Sequence, residues 1–120
     1  MPYQISAVAR FSASHQLRLY DGSLEPLHGH NWVATARVAA TKLDAIGVVM
    51  DFHELERLLA ELCQPMHNHH LNDLPAFETL NPSAENVAGT IGKNLMLPRG
   101  VWLVSVEVQE THDCRAIYLP

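Results

Sequence analysis

The sequence predicts an α+β fold, an antiparallel sheet with two helices on one of its faces. Apolar and polar residues alternate over residues 4–15, from His30 to about Lys42 and from Val101 to Glu110, the period of a strand with one buried face. Between the second and third of these stretches lie two segments with apolar residues at helical spacing. The order ββααββ is the layout in which helices cover one face of an antiparallel sheet.

The first strand places Ile5, Ala7, Ala9, Phe11, Ala13 and His15 on one face, away from Ser6, Arg10, Ser12 and Ser14. Residues 16–27 form a loop, marked by Asp21-Gly22-Ser23 and Pro26. The second strand carries Trp32, Ala34, Ala36 and Val38 on its apolar side. Asp51 opens the first helix. Glu54, three residues on, completes a capping box in which each side chain satisfies an orphan backbone donor. Phe52, Leu55, Leu58, Leu59 and Leu62 form the helix's apolar stripe, and Pro65 ends it. Residues 66–82 read as an irregular, His- and Asn-rich loop closing on Asn81-Pro82. Ser83 caps the second helix, where Val87, Ile91 and Leu95 recur at i, i+4 and Gly89 and Gly92 weaken the pattern. Pro98 and Gly100 make a turn before the Val101–Glu110 strand, and Arg115–Leu119 supplies a last one.

The 120 residues suit one domain, 1–120, with 48% hydrophobic content for a core. A chain this short leaves much surface unburied, so association would help it. A net charge of −5 and eight scattered Lys and Arg argue against a nucleic-acid surface. A small anionic substrate is still compatible, because one pocket can be positive on an acidic protein. Cys63 and Cys114 are too few for a disulfide framework. No apolar run approaches the roughly 18 residues of a membrane span. Residues Met1 to Arg10 lack a signal-peptide layout. The expectation is a soluble cytoplasmic protein with no nucleic-acid or membrane partner.

Eight histidines are the anomaly. His28-Gly29-His30 puts two imidazoles on one side of a strand start. His15 ends the preceding strand on its apolar face. If the two strands pair as a hairpin, the end of the first lies beside the start of the second, and the three rings meet. Three neutral imidazoles with an open fourth position form the layout of a catalytic zinc site. Such an ion polarises a carbonyl or acidifies a hydroxyl of a substrate. Glu110 stands out next, the polar last member of an apolar face formed by Trp102, Val104, Val106 and Val108. It fits two readings: a strand end turned to water, or a half-desolvated carboxylate awaiting a paired donor such as a guanidine-like ring edge.

At these residues the sequence resembles a known family. Phe11-Ser12-Ala13-Ser14-His15, Leu27-His28-Gly29-His30-Asn31, Gly47-Val48-Val49-Met50-Asp51-Phe52, Leu71-Asn72, Asn81-Pro82-Ser83-Ala84-Glu85-Asn86 and Val108-Gln109-Glu110-Thr111 occur in the order and spacing of the 6-pyruvoyl-tetrahydropterin synthase and 6-carboxytetrahydropterin synthase family. The resemblance implies a tunnelling fold, in which three subunits pool their sheets into a barrel and two trimers stack into a hexamer. It implies zinc on His15, His28 and His30, a pterin ring anchored by Glu110, a site between subunits, and 7,8-dihydroneopterin triphosphate or a close relative as substrate.

The departures from the family pattern fall on the proton-transfer groups. The usual cysteine, four residues before His28, is Leu24, which has no proton to trade. Glu25 follows it, and a subgroup that resembles a 6-hydroxymethyl-dihydropterin synthase carries a glutamate at about this place. Glu25 is therefore the candidate acid/base. The usual Asp-His pair before Leu71-Asn72 is replaced by His67 and Asn68, so His67 or His69 takes the proton role with a shifted register, or the relay is gone. Cys114 is a thiol near Glu110 with nothing evident to activate it, and Cys63 reads as core. Lys93 and Arg99 are candidate phosphate partners on charge alone. Three readings stay open: an active zinc lyase, a catalytically reduced homologue that keeps the zinc and binds a pterin or purine-like ring, and a purely structural metal or interaction module.

Overall fold

The computed structural model describes residues 2–120; Met1, the first residue of the predicted domain, lies outside them. The chain runs β1 (Tyr3–His15), β2 (His28–Ala40), α1 (Phe52–Cys63), β3 (His69–His70), α2 (Ala84–Asn94), β4 (Trp102–Thr111) and β5 (Cys114–Tyr118). The strands form one sheet in the order β3-β1-β2-β4-β5. All neighbours are antiparallel except β3, which lies parallel to Ala13 and Ser14 of β1. The ββααββ order predicted from periodicity is therefore observed with one strand added inside the 66–82 loop. Two residues are too few to display a period, so β3 was invisible in the sequence.

The alternation reads correctly onto the core. Trp32, Ala34, Ala36 and Val38 are fully buried, joined by Phe11 and Ala13 of β1 and by Val106 and Val108 of β4. Leu55 and Leu59 of α1 and Val87, Ala88 and Ile91 of α2 close on them as one cluster, so both helices lie on the same face. Phe52 does not join the stripe. It is the first residue of α1 and is left exposed. Asp51 caps the helix by accepting the His53 N–H at 2.8 Å. Glu54 does not return the bond. It pairs instead with the Arg57 guanidinium at 2.6 and 3.1 Å, because a charge-assisted fork outcompetes one backbone donor. Ser83 caps α2 as predicted, accepting the Asn86 N–H at 3.1 Å.

Strand β4 breaks its period twice. Val104 is an extra residue against β2, between the Arg37–Ser105 and Val38–Leu103 pairs. This bulge carries Trp102 off the core face, leaving it 46% exposed, and brings Leu103 onto the core in its place. Glu110 is a second extra residue, against β5, between the Gln109–Arg115 and Thr111–Cys114 pairs. Gly92 weakens α2 as an isolated helix, yet a Cβ there would collide with the Tyr118 ring of β5. No helix among the described residues is long and apolar enough to cross a membrane.

Candidate active site

The register of β1 and β2 builds the site. His15 pairs with His28, and Ala13 with His30, so the end of one strand and the start of the next present three imidazoles on the core face. Ring centroids lie 4.5 Å apart for His15 and His28, 4.9 Å for His28 and His30 and 5.2 Å for His15 and His30. Trp32 forms the floor, edge-on to His15 at 4.9 Å, with its indole N–H donated to the Ala13 carbonyl at 3.1 Å.

Remote carbonyls orient two of the rings. His15 Nδ1 lies 2.7 Å from the Pro82 carbonyl oxygen and His28 Nδ1 lies 2.8 Å from that of Pro26. A carbonyl only accepts, so each Nδ1 carries the hydrogen and each neutral ring keeps a bare Nε2 lone pair, the orientation of a metal-ligating histidine. His15 is 1% exposed, and its Nε2 is buried without a hydrogen-bond partner. A buried orphan acceptor is costly, and a bound cation would relieve it. Burial pushes the His30 imidazole below its ordinary pKa; Glu110 opposes this, and His15 and His28 add to it. The donor set thus favours neutral, lone-pair-bearing rings and fits a zinc ion.

Two carboxylates flank the rings. The bulge at Glu110 aims its Oε1 to 2.9 Å from His30 Nε2 and 3.4 Å from His15 Nε2. The donor atoms of His15, His28, His30 and Glu110 all lie within 4.8 Å of one another. Of the two readings of Glu110, the strand end turned to water is not the one observed. Glu25 lies outside this group of four. Its Oε1 is 3.7 Å from His28 Nε2 and accepts the Leu17 N–H at 2.9 Å.

Three side chains that the sequence reading did not assign hold the Glu25 loop in place. Asn72 accepts from the Gln16 N–H at 2.9 Å and donates to the Gln16 carbonyl at 2.7 Å. Asn81 does the same for Arg18, at 2.7 and 3.0 Å. Gln16 in turn donates to the Glu25 carbonyl at 3.0 Å. Each asparagine serves as one rung of a missing strand. The Leu71-Asn72 and Asn81-Pro82 motifs were the signal.

The other predicted residues are not brought to this cluster. His67 Nδ1 accepts the Ser12 N–H at 3.1 Å at the edge of β1, and His69 Nδ1 bonds the His67 carbonyl at 2.8 Å. Asn68 takes a left-handed backbone, φ +60°, which asparagine tolerates well. His70, not singled out from sequence, bonds Ser14 Oγ at 2.9 Å and lines an open cleft of about 450 Å³ with Ser12, Asn31, Asn68 and His69. Arg99 lies beside Ala40, Lys42 and Trp102, at the end of β2 opposite from His28, so it cannot meet a phosphate at its own chain's cluster. Cys63 is buried, and its thiol is pushed up to about 12; Cys114 is exposed.

The sequence model of 6-pyruvoyl tetrahydropterin synthase matches residues 4–120. The chain belongs to this family. It is 26% identical over 125 residues to a 6-carboxy-5,6,7,8-tetrahydropterin synthase of Rickettsia typhi, covering 87% of this chain and 91% of that one. Its fold is similar to that of Caenorhabditis elegans 6-pyruvoyl tetrahydropterin synthase, with a TM-score of 0.83 at 22% identity over 100% of this chain and 96% of that one. A Plasmodium vivax 6-pyruvoyltetrahydropterin synthase, described as a catalytic residue mutant with a glutamate changed to alanine, matches with a TM-score of 0.74 at 16% identity, over 98% and 97% of the two chains. The sheet with two helices is the family's α+β tunnelling fold, and the family is one of lyases.

Proposed function

We propose that this chain is a zinc-dependent lyase acting on 7,8-dihydroneopterin triphosphate. The observation that carries the reading is the buried, unpartnered Nε2 of His15, aimed at the point where His28, His30 and Glu110 also converge. His15, His28 and His30 would hold the ion, which when bound polarises substrate side-chain oxygens. The Pro82 and Pro26 carbonyls keep the rings turned, and Trp32 keeps water out beneath them.

Glu25 moves the proton. Its carboxylate stands beside His28, outside the donor group, where it can take a proton from the substrate side chain and return it to the leaving fragment. A glutamate is the residue changed in the Plasmodium vivax catalytic mutant, which supports the same role for Glu25. A carboxylate in place of the thiol favours 6-hydroxymethyl-dihydropterin as product. Glu110 receives the 2-amino and N3 edge of the ring, two parallel donors for one carboxylate. His67 and His69 lie away from their own chain's cluster. They complete the relay in trans, where a hexamer sets the 66–72 segment of one subunit beside the site of the next.

One observation favours the binding-only reading. Asn68 carries no imidazole, and His67 Nδ1 is already engaged by Ser12. Product analysis by mass spectrometry separates the two. Zinc-loaded protein incubated with dihydroneopterin triphosphate should convert it, Leu24→Ala should retain conversion, and Glu25→Gln should slow it by about 10²- to 10⁴-fold. Tight pterin binding without turnover would overturn the lyase reading.

A further inference from the structure

We infer that the end of the sheet opposite the histidine cluster carries a second binding pocket, built to take a mononucleotide with its base against Trp102 and its phosphate between Arg99 and Lys42. The inference does not depend on the metal or lyase reading above.

The pocket lies between the turn after β2 and the turn before β4. Its volume is about 710 Å³, within the range of small-molecule sites. Buried Ala40 and Val49 contribute to its apolar lining. Both turns are fixed by their own bonds. Asp44 Oδ1 accepts the Ile46 and Val48 N–H groups at 3.0 and 3.2 Å, and Gly47 takes the left-handed position at φ +84°. On the other side the Val101 N–H donates to the Pro98 carbonyl at 3.1 Å, with Gly100 also at φ +84°. The walls are therefore formed before a ligand arrives, which lowers the cost of binding one.

Three side chains of this lining are free to receive a ligand. The bulge at Val104 has carried Trp102 off the core face, and no ring or cation among the described residues stacks on it. A half-exposed indole in a concave site is a platform on which a base stacks. Arg99 and Lys42 form no ion pair among the described residues, whereas Arg37, Arg57 and Arg115 all do. A guanidinium forks two oxygens of a phosphate, and an ammonium adds a point charge. Asp44 is the one carboxylate of the lining, so two cations face one anion on a chain whose net charge is −5. That overall charge opposes a long polyanion, so the occupant is a single nucleotide and not a nucleic acid.

Titration of the full chain with AMP, read by tryptophan fluorescence, tests this. The chain has two tryptophans and Trp32 is fully buried, so the quenchable indole is Trp102. AMP should quench it saturably. Adenosine, which lacks the phosphate, should bind about tenfold more weakly or worse, and inorganic phosphate should compete with AMP without quenching. Arg99→Ala and Lys42→Ala, both at exposed positions, should each weaken AMP binding by about tenfold or more. Trp102→Leu should weaken it when binding is followed by calorimetry. Glu110→Ala should leave it unchanged, which separates this pocket from the histidine cluster. Absence of saturable quenching, adenosine binding as tightly as AMP, or unchanged affinity in Arg99→Ala and Lys42→Ala would overturn the assignment. So would loss of AMP binding in Glu110→Ala, because the nucleotide would then occupy the cluster. None of these outcomes alters the product analysis above.

Discussion

Two groups of three histidines have opposite fates in this chain. His15, His28 and His30 converge; His67, His69 and His70 disperse. In the first group, neighbouring strands set the spacing, and Nδ1 of two rings is bound by carbonyls. The Nε2 atoms therefore share one point. In the second, Nδ1 meets a backbone N–H, a local carbonyl and a serine hydroxyl in turn, at 3.1, 2.8 and 2.9 Å. Three unlike partners turn the rings three ways. Histidine count and proximity in sequence do not make a metal site; a common partner geometry does.

The sharpest way to break this comparison is metal analysis. His15→Ala should lose the stoichiometric zinc, and His69→Ala should keep it. Retained zinc in the first variant would remove the distinction between the groups. Next comes turnover. Glu25→Gln should lower kcat by about 10²- to 10⁴-fold with zinc content unchanged, the range of a lost general acid/base. A parallel loss of zinc would make Glu25 a ligand instead.

Stability separates the groups less steeply. Trp32→Ala, under the convergent rings, should cost about 3–5 kcal/mol by denaturant titration. Ser14→Ala, which releases His70 in the dispersed group, should cost about 1 kcal/mol and leave zinc binding intact. The smallest expected effect concerns the two thiols, a contrast of the same kind. The folded-state pKa of Cys63, about 12, lies above its ordinary value of 9.0. Its contribution to stability is therefore complete below pH 9.0 and is lost as pH rises through about 12. A thiol reagent at pH 8 should label Cys114 alone in the native protein and both cysteines after denaturation.

Much of the convergent group was legible in advance. The alternation of β1 and β2 placed His15, His28 and His30 on one face, and hairpin pairing brought them together without further information. The same period misassigned Trp102 and Val104, because a bulge is an interruption that a regular pattern cannot announce. Phe52 was misplaced by one end of a helix, where spacing continues but packing stops. Gln16, Asn72 and Asn81 went unassigned, because a side chain that completes a remote backbone rung leaves no periodic trace. His67 and His69 were singled out by their place beside the family's usual Asp-His position, and that place says nothing of which nitrogen a neighbour will occupy.

Local sequence determined the four longer strands, the two helices and the caps at Asp51 and Ser83, since each depends on neighbours one to four residues away, and strand period put His15, His28 and His30 on one face. Tertiary structure alone decided that the Pro82 carbonyl would turn His15, that the bulge at Glu110 would swing its carboxylate to two imidazoles, and that Glu25 would stop beside His28 and outside the donor group. Those contacts join residues up to 95 positions apart, His15 and Glu110, and only the assembled sheet and its covering helices bring them within a few ångströms.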